Sequence, residues 1–312
     1  MARFRPFRFA AQLDNAPSRT AWTDAARKVE GLGYSTLTMP DHFGDQLAPV
    51  PGLMAAADAT TTLRIGTLVW DNDYKHPLVL AKEAATLDLL SDGRLEFGLG
   101  AGWMKSDYEQ SGIPYDSPAV RVDRFEEALV VLKGLWGEDP FSFAGTHYRI
   151  ADHNGLPKPQ QRPHPPIVIG GGGKRVLSIA ARHADIVSVN PNLREGLGGP
   201  ETAPNATPAA TSQKLQWIKD AAGDRFDDIE LNVLVGFTLV TDKPEAIAEG
   251  MAPAFGISPD DALHVPMCLI GTMDSMVEEL QRRREEWGFS YIGFDNGSWE
   301  AMAPVVARLA GT

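Results

Sequence analysis

The stretch that decides the fold runs from residue 165 to residue 191 and has the sequence PPIVIGGGGKRVLSIAARHADIVSVNP. Ile167 to Ile169 form a short β-branched run of the kind found in a fully buried parallel strand. Four glycines follow, and Lys174 to Arg182 then carries apolar residues at helical spacing. Ile186 to Val189 repeats the buried-strand pattern. The stretch therefore predicts a strand, a glycine turn, a helix and a second strand, which make one βαβ unit.

The glycine turn consists of Gly170, Gly171, Gly172 and Gly173. Glycines between a strand and a helix expose backbone N–H groups, and the first helical turn adds unpaired donors and the positive end of the helix dipole. Lysine and arginine at positions 174 and 175 add full charges at the same place. The turn therefore predicts an anion site that suits a phosphate. A tight turn without a ligand is the alternative, because the pattern matches neither the Walker motif nor G-x-G-x-x-G.

Composition limits the class of protein. The chain has 312 residues, of which 43% are hydrophobic and 22% charged, and this balance is typical of a globular protein. A formal net charge of −12 argues against nucleic acid and anionic membrane surfaces as partners. The single cysteine, Cys268, allows no intrachain disulfide and no cysteine-rich metal site, and it favours a cytoplasmic location. We expect no signal peptide, no membrane span and no metal site, since neither the apolar runs nor the histidine spacing provide one.

The rest of the chain repeats the alternation of strand and helix. Apolar runs predict six further strands at Phe7 to Leu13, Ser35 to Met39, Leu63 to Trp70, Leu95 to Leu99, Leu231 to Val240, and Tyr291 to Phe294. Eight strands alternating with helices over this length predict a single (β/α)8 TIM-barrel domain spanning residues 1–312. An open doubly wound sheet is the alternative. The count of eight, with a last helix returning at the end of the chain, favours closure.

Two segments interrupt this rhythm. Residues from about 138 to 165 form an insertion between the fourth and fifth strands, with a hairpin-like pattern around Gly145. Residues from about 194 to 210 form a polar loop after the sixth strand.

A barrel of this type places its active site where the strands end. Several residues fall at these strand ends and are predicted to converge on one mouth of the barrel. Besides the glycine turn, they are Gln12, Asp41, His42, Leu68, Val69, Trp70, Gly100, Trp103 and Asn190.

Several motifs, in this order along the chain, resemble the luciferase-like monooxygenase superfamily. They are PDHFGDQ at residues 40–46, the run from Ile65 to Arg94, LEFGLGAGW at 95–103 followed by RVDRFEEA at 121–128, and PPIVIGGGG at 165–173. The resemblance covers nearly the whole chain and is greatest to the branch of oxidoreductases that depend on the deazaflavin coenzyme F420. Members that depend on FMN share much of the pattern.

The resemblance implies a flavin-like ring at the barrel mouth. The glycine turn would hold the phosphate of the cofactor, and Asp41 and His42 would lie beside the ring. Thr67, Leu68 and Val69 would back the ring, with a non-proline cis peptide between Leu68 and Val69. Gly100 and Asn190 complete the cofactor-binding set that we predict.

The candidate catalytic residues are His42 and Asp41. An imidazole titrates near neutrality, so His42 is a candidate proton donor or acceptor, with Asp41 as an orienting group or hydrogen-bond acceptor. The alternative is a histidine bonded to a neighbouring loop.

Gln12, Trp70 and Trp103 are predicted to line the substrate pocket. Trp103 stands where the sugar-phosphate dehydrogenase of the family has a catalytic glutamate, which favours a flatter or more apolar substrate. A core tryptophan beneath a loop is the alternative for Trp103.

The sequence therefore predicts an oxidoreductase that moves a hydride between F420 and a small organic substrate, acting as a homodimer. One alternative is an FMN-dependent two-component monooxygenase that receives reduced flavin from a separate reductase. Another is a flavin-binding barrel without catalytic activity.

Overall fold

The computed structural model describes residues 5–312, and its core is a ring of parallel strands. The strands are β1 (Arg8–Gln12), β2 (Thr36–Met39), β3 (Arg64–Thr67), β4 (Trp70–Asp71), β5 (Leu95–Gly100), β6 (Phe141–Ala144), β7 (Arg149–His153), β8 (Ile167–Gly171), β9 (Ile186–Val189), β10 (Glu230–Val235), β11 (Phe237–Val240), β12 (Cys268–Gly271) and β13 (Phe289–Phe294).

Helices surround this ring. They are α1 (Arg19–Gly31), α2 (Pro49–Ala59), α3 (Pro77–Leu90), α4 (Lys105–Ser111), α5 (Pro118–Trp136), α6 (Lys174–His183), α7 (Pro208–Ala222), α8 (Pro244–Phe255), α9 (Pro259–His264), α10 (Met273–Trp287) and α11 (Ala303–Leu309). Short 3-10 turns occupy Pro200–Asn205 and Gly223–Asp228. Within residues 5–312 no helix combines the length and apolar character that a bilayer span requires.

The ring closes. Parallel pairing runs in the order β3, β2, β1, β13, β10, β9, β8 and β5, and β5 pairs back onto β3 through Ile65 and Leu95. β4 continues β3 beyond a break and pairs with the end of β5. The predicted (β/α)8 barrel is confirmed, and the open sheet is excluded.

The third barrel strand is interrupted where the sequence predicts one continuous strand. The peptide bond between Leu68 and Val69 is cis, as the family resemblance implies. Thr67 is the last residue of β3 to pair with β2, and pairing resumes at Trp70, opposite Leu99 of β5. The interruption leaves the residues of the cis bond at the C-terminal end of the barrel.

The seventh predicted strand, Leu231 to Val240, is also divided, and here the prediction of one strand was wrong. β10 belongs to the barrel, whereas β11 pairs with β12 in a separate two-stranded parallel sheet. Between them the N–H groups of Gly236 and Phe237 both donate to the carbonyl of Met267, which draws the chain out of the barrel. The apolar run continues through both strands, so composition alone does not reveal this division.

The hairpin predicted around Gly145 is formed by β6 and β7 and packs on α5. The Glu127 carboxylate of α5 accepts hydrogen bonds from the backbone N–H groups of Thr146, His147 and Tyr148. A Cβ atom on Gly134 would lie 2.3 Å from the ring of Phe141. The hairpin is therefore fixed to the helix by a carboxylate at its turn and an aromatic ring at its base.

An ion cluster fills the barrel interior near the N-terminal ends of the strands. Glu96, whose side chain is 3% exposed, contacts Arg8 at 2.6 Å and Arg64 at 2.8 Å and accepts from the Tyr291 hydroxyl at 2.9 Å. Burial alone would raise the pKa of Glu96, yet the net shift is downward because the two guanidinium groups stabilise the carboxylate. Arg8 also pairs with Glu230 at 2.6 Å. The cluster thereby links five barrel strands, namely β1, β3, β5, β10 and β13.

We expect Glu96→Ala to lower the free energy of unfolding by about 3–5 kcal/mol, because it removes the buried carboxylate that two half-buried guanidinium groups share and leaves Arg64 without its ion-pair partner. Urea unfolding followed by circular dichroism measures this change. Glu300→Ala is the control, since Glu300 is 58% exposed and pairs with exposed Lys28; its effect should stay within about 0.5 kcal/mol. Equal effects of the two variants would contradict a stabilising role for the cluster.

Candidate active site at the barrel mouth

His42 follows β2 and is held by a carboxylate from a different loop. Its Nδ1 lies 2.7 Å from Oδ2 of Asp107, a residue of α4 that is 5% exposed. The Tyr74 hydroxyl donates to the same oxygen at 2.9 Å. When Nδ1 carries the proton and donates it to Asp107, Nε2 is left as the nitrogen that can exchange a proton with a ligand. The histidine and the carboxylate thus form a pair suited to acid–base chemistry.

The sequence did not predict α4, so the partner of His42 was missed. The helix has seven residues, follows the glycine-rich end of β5 and lacks a side-chain cap. An acidic residue in its first turn, Asp107, is the single local indication of a helix start. Because 65 positions separate Asp107 from His42, local patterns do not reveal the contact.

Asp41 connects the end of β2 to β4. Its Oδ2 accepts a hydrogen bond from the backbone N–H of Asp71 at 3.3 Å. Burial is the largest influence on the Asp41 carboxyl and raises its pKa. The side chain therefore holds the segment at Asp71, while its predicted role towards His42 and a cofactor stays a prediction.

Val69 and two glycines form a close-packed surface at the mouth. A Cβ atom on Gly100 would lie 2.7 Å from Cγ2 of Val69. A Cβ atom on Gly170 would lie 3.6 Å from Cγ1 of Val69 and 3.2 Å from Nδ2 of Asn190. Gln12 donates from Nε2 to the carbonyl of Leu68 at 3.1 Å and fixes the other residue of the cis bond. A side chain at Gly100, which is buried, would overlap Val69, so the close approach of these strand ends requires a glycine there. Gly170 is half-buried and meets Val69 at ordinary contact distance.

The glycine turn is shaped by two different constraints. A Cβ atom on Gly172 would lie 2.1 Å from the carbonyl oxygen of Pro191, so backbone contact requires a glycine there. Gly173 is the N-cap of α6 and has no side-chain cap, and the nearest atom to a Cβ at this position would be 3.7 Å away. A side chain at Gly173 would first meet the side chain of Asn192, at ordinary contact distance, and the first turn of α6 has no side-chain cap. Helix N-termini without a side-chain cap are common anion sites. Arg175 contacts Asp123, which leaves Lys174 as the cation next to the turn.

The tryptophans differ in position. Trp103 is half-buried, and its ring meets His42 edge to face with centroids 5.6 Å apart. A Cβ atom on Gly198, in the polar loop, would lie 3.5 Å from the same ring. Trp103 is thus placed between His42 and this loop, at the mouth.

Trp70 is fully buried, which contradicts the prediction that it lines the substrate pocket. Its ring packs on Phe97 at 5.1 Å within the hydrophobic core, because the strand resumes here after the cis bond. Thr67 is also buried, and its hydroxyl donates to the carbonyl of Gly98 at 2.8 Å. Its side chain therefore holds two strands together.

A second cluster of carboxylates, formed by Asp71 and Asp73, lies against the loop that carries Trp103. Asp71, 8% exposed, shares the hydroxyl of Tyr108 with Asp73, at 3.0 Å from the nearest oxygen of each. Arg124 pairs with Asp73 at 2.8 Å. Burial raises the pKa of Asp71 to about 7, and the neighbouring Asp73 carboxylate adds to this shift. A Cβ atom on Gly102 would lie 2.8 Å from Asp71, so this group supports the loop that carries Trp103.

The closed barrel with an interrupted third strand, a histidine–carboxylate pair and an uncapped glycine turn defines an enzyme barrel able to seat a flat anionic cofactor. The chain belongs to the luciferase-like monooxygenase family, whose model matches residues 1–307.

Two characterised relatives differ in their cofactor. The FMNH2-dependent dimethylsulfone monooxygenase of Pseudomonas putida is 39% identical over 139 residues, which are 45% of this chain and 38% of that protein. The F420-dependent glucose-6-phosphate dehydrogenase of Amycolatopsis mediterranei is 29% identical over 168 residues, covering 51% of this chain and 50% of that protein. The matches thus span half or less of these relatives. The family provides oxidoreductases and monooxygenases that use a flavin or a deazaflavin.

Solved structures share the fold at low sequence identity. The F420-dependent tetrahydromethanopterin reductase of Methanopyrus kandleri superposes with a TM-score of 0.76 at 16% identity, covering 98% of this chain and 99% of that one. A long-chain alkane monooxygenase gives 0.75 at 17% identity, with 98% and 92% covered.

The raised pKa of Asp71 predicts a pH-dependent stability. The folded protein binds this proton more tightly than the unfolded chain, in which a carboxyl titrates near pH 4. Stability should therefore fall as the pH rises from about 4 to about 7. The melting temperature of Asp71→Asn, whose amide is neutral at every pH, should decrease less between pH 5 and pH 8 than that of the wild type. Asp58→Asn, at an exposed position on α2, serves as the control. If Asp71→Asn follows the wild-type curve, the Asp71 carboxyl does not titrate in this range.

Proposed function

We propose that this protein is an oxidoreductase that transfers a hydride between the deazaflavin coenzyme F420 and a small organic substrate. The observation that carries the proposal is the His42–Asp107 pair, in which His42 follows the C-terminal end of β2. Hydride transfer to or from a carbon that bears oxygen needs a proton to move as well, and this pair can move it.

The residues at the mouth fit such a cofactor. The glycine turn and the first turn of α6 would hold its phosphate, since no side chain caps the N–H groups at the start of this helix. Val69, Gly100 and Gly170 would support one face of the ring, with Asn190 at its edge. The cofactor, when bound, supplies or accepts the hydride.

His42 performs the proton transfer in this proposal. With an alcohol, Nε2 accepts the hydroxyl proton as the carbon loses its hydride; in the reverse direction, the same nitrogen returns the proton to the carbonyl oxygen. Asp107 stabilises the imidazolium that forms and holds the ring in one orientation. Trp103 covers one side of the imidazole and reduces its access to water.

A second candidate is a monooxygenase that uses reduced FMN and oxygen. The 39% identity to the FMNH2-dependent enzyme of Pseudomonas putida favours it. A deazaflavin has carbon at position 5 and activates oxygen poorly, so the two cofactors imply different reactions. In this case a separate reductase would supply the reduced flavin.

Titration of the purified protein with F420 and with FMN, oxidised and reduced, distinguishes these candidates by fluorescence. We expect tighter binding of F420 and reduction of bound F420 by a member of a panel of small alcohols under anaerobic conditions. Selective binding of reduced FMN with oxygen consumption would favour the monooxygenase. Binding of either cofactor with no turnover of any substrate would favour a binding protein.

Replacement of the proposed acid–base pair tests its role. His42→Ala should lower kcat by about 10²- to 10⁴-fold, the usual contribution of a general acid or base, with little change in cofactor affinity. Asp107→Asn should lower kcat in the same direction, because the amide no longer stabilises the imidazolium. Glu109→Gln, an exposed neighbour on α4, should leave kcat unchanged. If His42→Ala weakens cofactor binding but keeps kcat, His42 packs against the ring and the proton comes from elsewhere.

The glycine turn offers a test that separates binding from folding. Gly173→Asp places a carboxylate at a helix N-cap where a Cβ atom first meets the Asn192 side chain, at 3.7 Å or more; aspartate stabilises a helix there but repels a phosphate. We expect the melting temperature to stay level or rise, while cofactor affinity falls by about tenfold or more. Gly173→Ser provides the same cap without the charge and should retain most of the affinity. Equal affinity in both variants would locate the phosphate elsewhere.

A further inference from the structure

Lys214 of α7 is a buried cation next to the glycine turn. The residue is 2% exposed, and its Nζ donates to the carbonyl oxygens of Asn190 at 2.7 Å and Asn205 at 2.5 Å. Among the ion pairs of residues 5–312, none pairs Lys214 with a carboxylate. Burial lowers the pKa of Lys214 to about 8, so the group still carries its charge at pH 7.

The carbonyl oxygen of Asn190 lies next to both the Lys214 ammonium and the glycine turn. The Asn190 oxygen that Lys214 binds would lie 2.5 Å from a Cβ atom on Gly172. A carbonyl oxygen carries partial negative charge, and its position beside the turn would oppose an anion there. By donating to this oxygen, Lys214 offsets that charge and adds a positive charge within the same small region.

Lys214 also joins the two ends of the polar loop. Asn190 precedes the loop and Asn205 lies near its end, and the Asn205 side chain accepts from the backbone N–H of Asn192 at 2.7 Å. The middle of the loop contacts α4, where the N–H of Lys105 donates to the carbonyl of Gly196 at 3.2 Å. The position of this wall of the mouth thus depends on the bonds that Lys214 makes.

A buried ammonium without a carboxylate is costly, because carbonyl groups provide hydrogen bonds but no opposite charge. A phosphate at the glycine turn would provide that charge. We infer that Lys214 is a positioning residue for the phosphate of the cofactor, which it favours by fixing the Asn190 carbonyl and by its own charge. The inference rests on the proposed function in one respect, that the glycine turn holds this phosphate.

The test compares ligands with and without the phosphate in the same variant. F420 and FMN are each paired with the form that lacks the phosphate, and inorganic phosphate is used alone. Affinities are measured by fluorescence or calorimetry for the wild type, Lys214→Met, and Lys219→Met as a control that removes an exposed lysine from the same helix.

We expect Lys214→Met to weaken phosphate-bearing ligands by about tenfold or more, with much smaller effects on the phosphate-free forms. Lys214→Arg, which keeps the charge, should restore part of the loss, and Lys219→Met should match the wild type. An equal loss for both ligand forms would show a merely structural role and overturn the inference, as would no loss for either.

A second variant decides the matter if Lys214→Met does not fold. Asn205→Asp leaves the buried lysine in place and adds a competing carboxylate beside it, so it should also weaken the phosphate-bearing ligands selectively. Unchanged selectivity would overturn the inference.

Failure of the proposed function has a different signature. If the wild type binds neither cofactor but binds inorganic phosphate in a Lys214-dependent way, the cofactor assignment fails and the inference about the turn stands. If the wild type binds no phosphate in any form, the inference is overturned.

Discussion

The close approach of Val69 to the backbone of Gly100 and Gly170 is the contact on which the barrel mouth depends. Three neighbouring barrel strands end at this point, and a side chain on either glycine would occupy the space beside Val69. Val69 lies between β3 and β4, while Trp70 returns to the core on the other side of the interruption. Across this interruption Val69 is therefore half-buried beside the strand ends, whereas Trp70 is part of the hydrophobic core.

The polar groups around the barrel mouth are arranged so that each carboxylate has a donor. Asp107 has His42 and Tyr74, Asp73 has Arg124, and Asp71 shares a tyrosine hydroxyl and titrates near neutrality. In a chain with a net charge of −12, negative groups near the mouth would otherwise repel an anionic cofactor. Pairing reduces that repulsion, and the uncapped start of α6 and Lys214 supply attraction where the phosphate is proposed to bind.

Local patterns in the sequence determined most of the framework. β-Branched runs, glycine exits and helical spacing predicted the eight barrel strands, and the observed bounds of β9, Ile186–Val189, match the predicted ones. The glycine turn was predictable for the same reason, because the need for a residue without a side chain is expressed in the residue type itself. The residues at the strand ends followed from the barrel, since parallel strands all end on one side.

Tertiary structure decided the rest. Apolar composition does not distinguish a strand that continues from one that leaves the barrel, so the division at Gly236 and the burial of Trp70 were not predicted. The pairing of His42 with Asp107, and of Lys214 with the carbonyl beside the glycine turn, joins residues from distant parts of the chain. A sequence pattern reports the secondary structure and burial that a residue favours, whereas the partner of a polar side chain depends on which loops the closed barrel brings together.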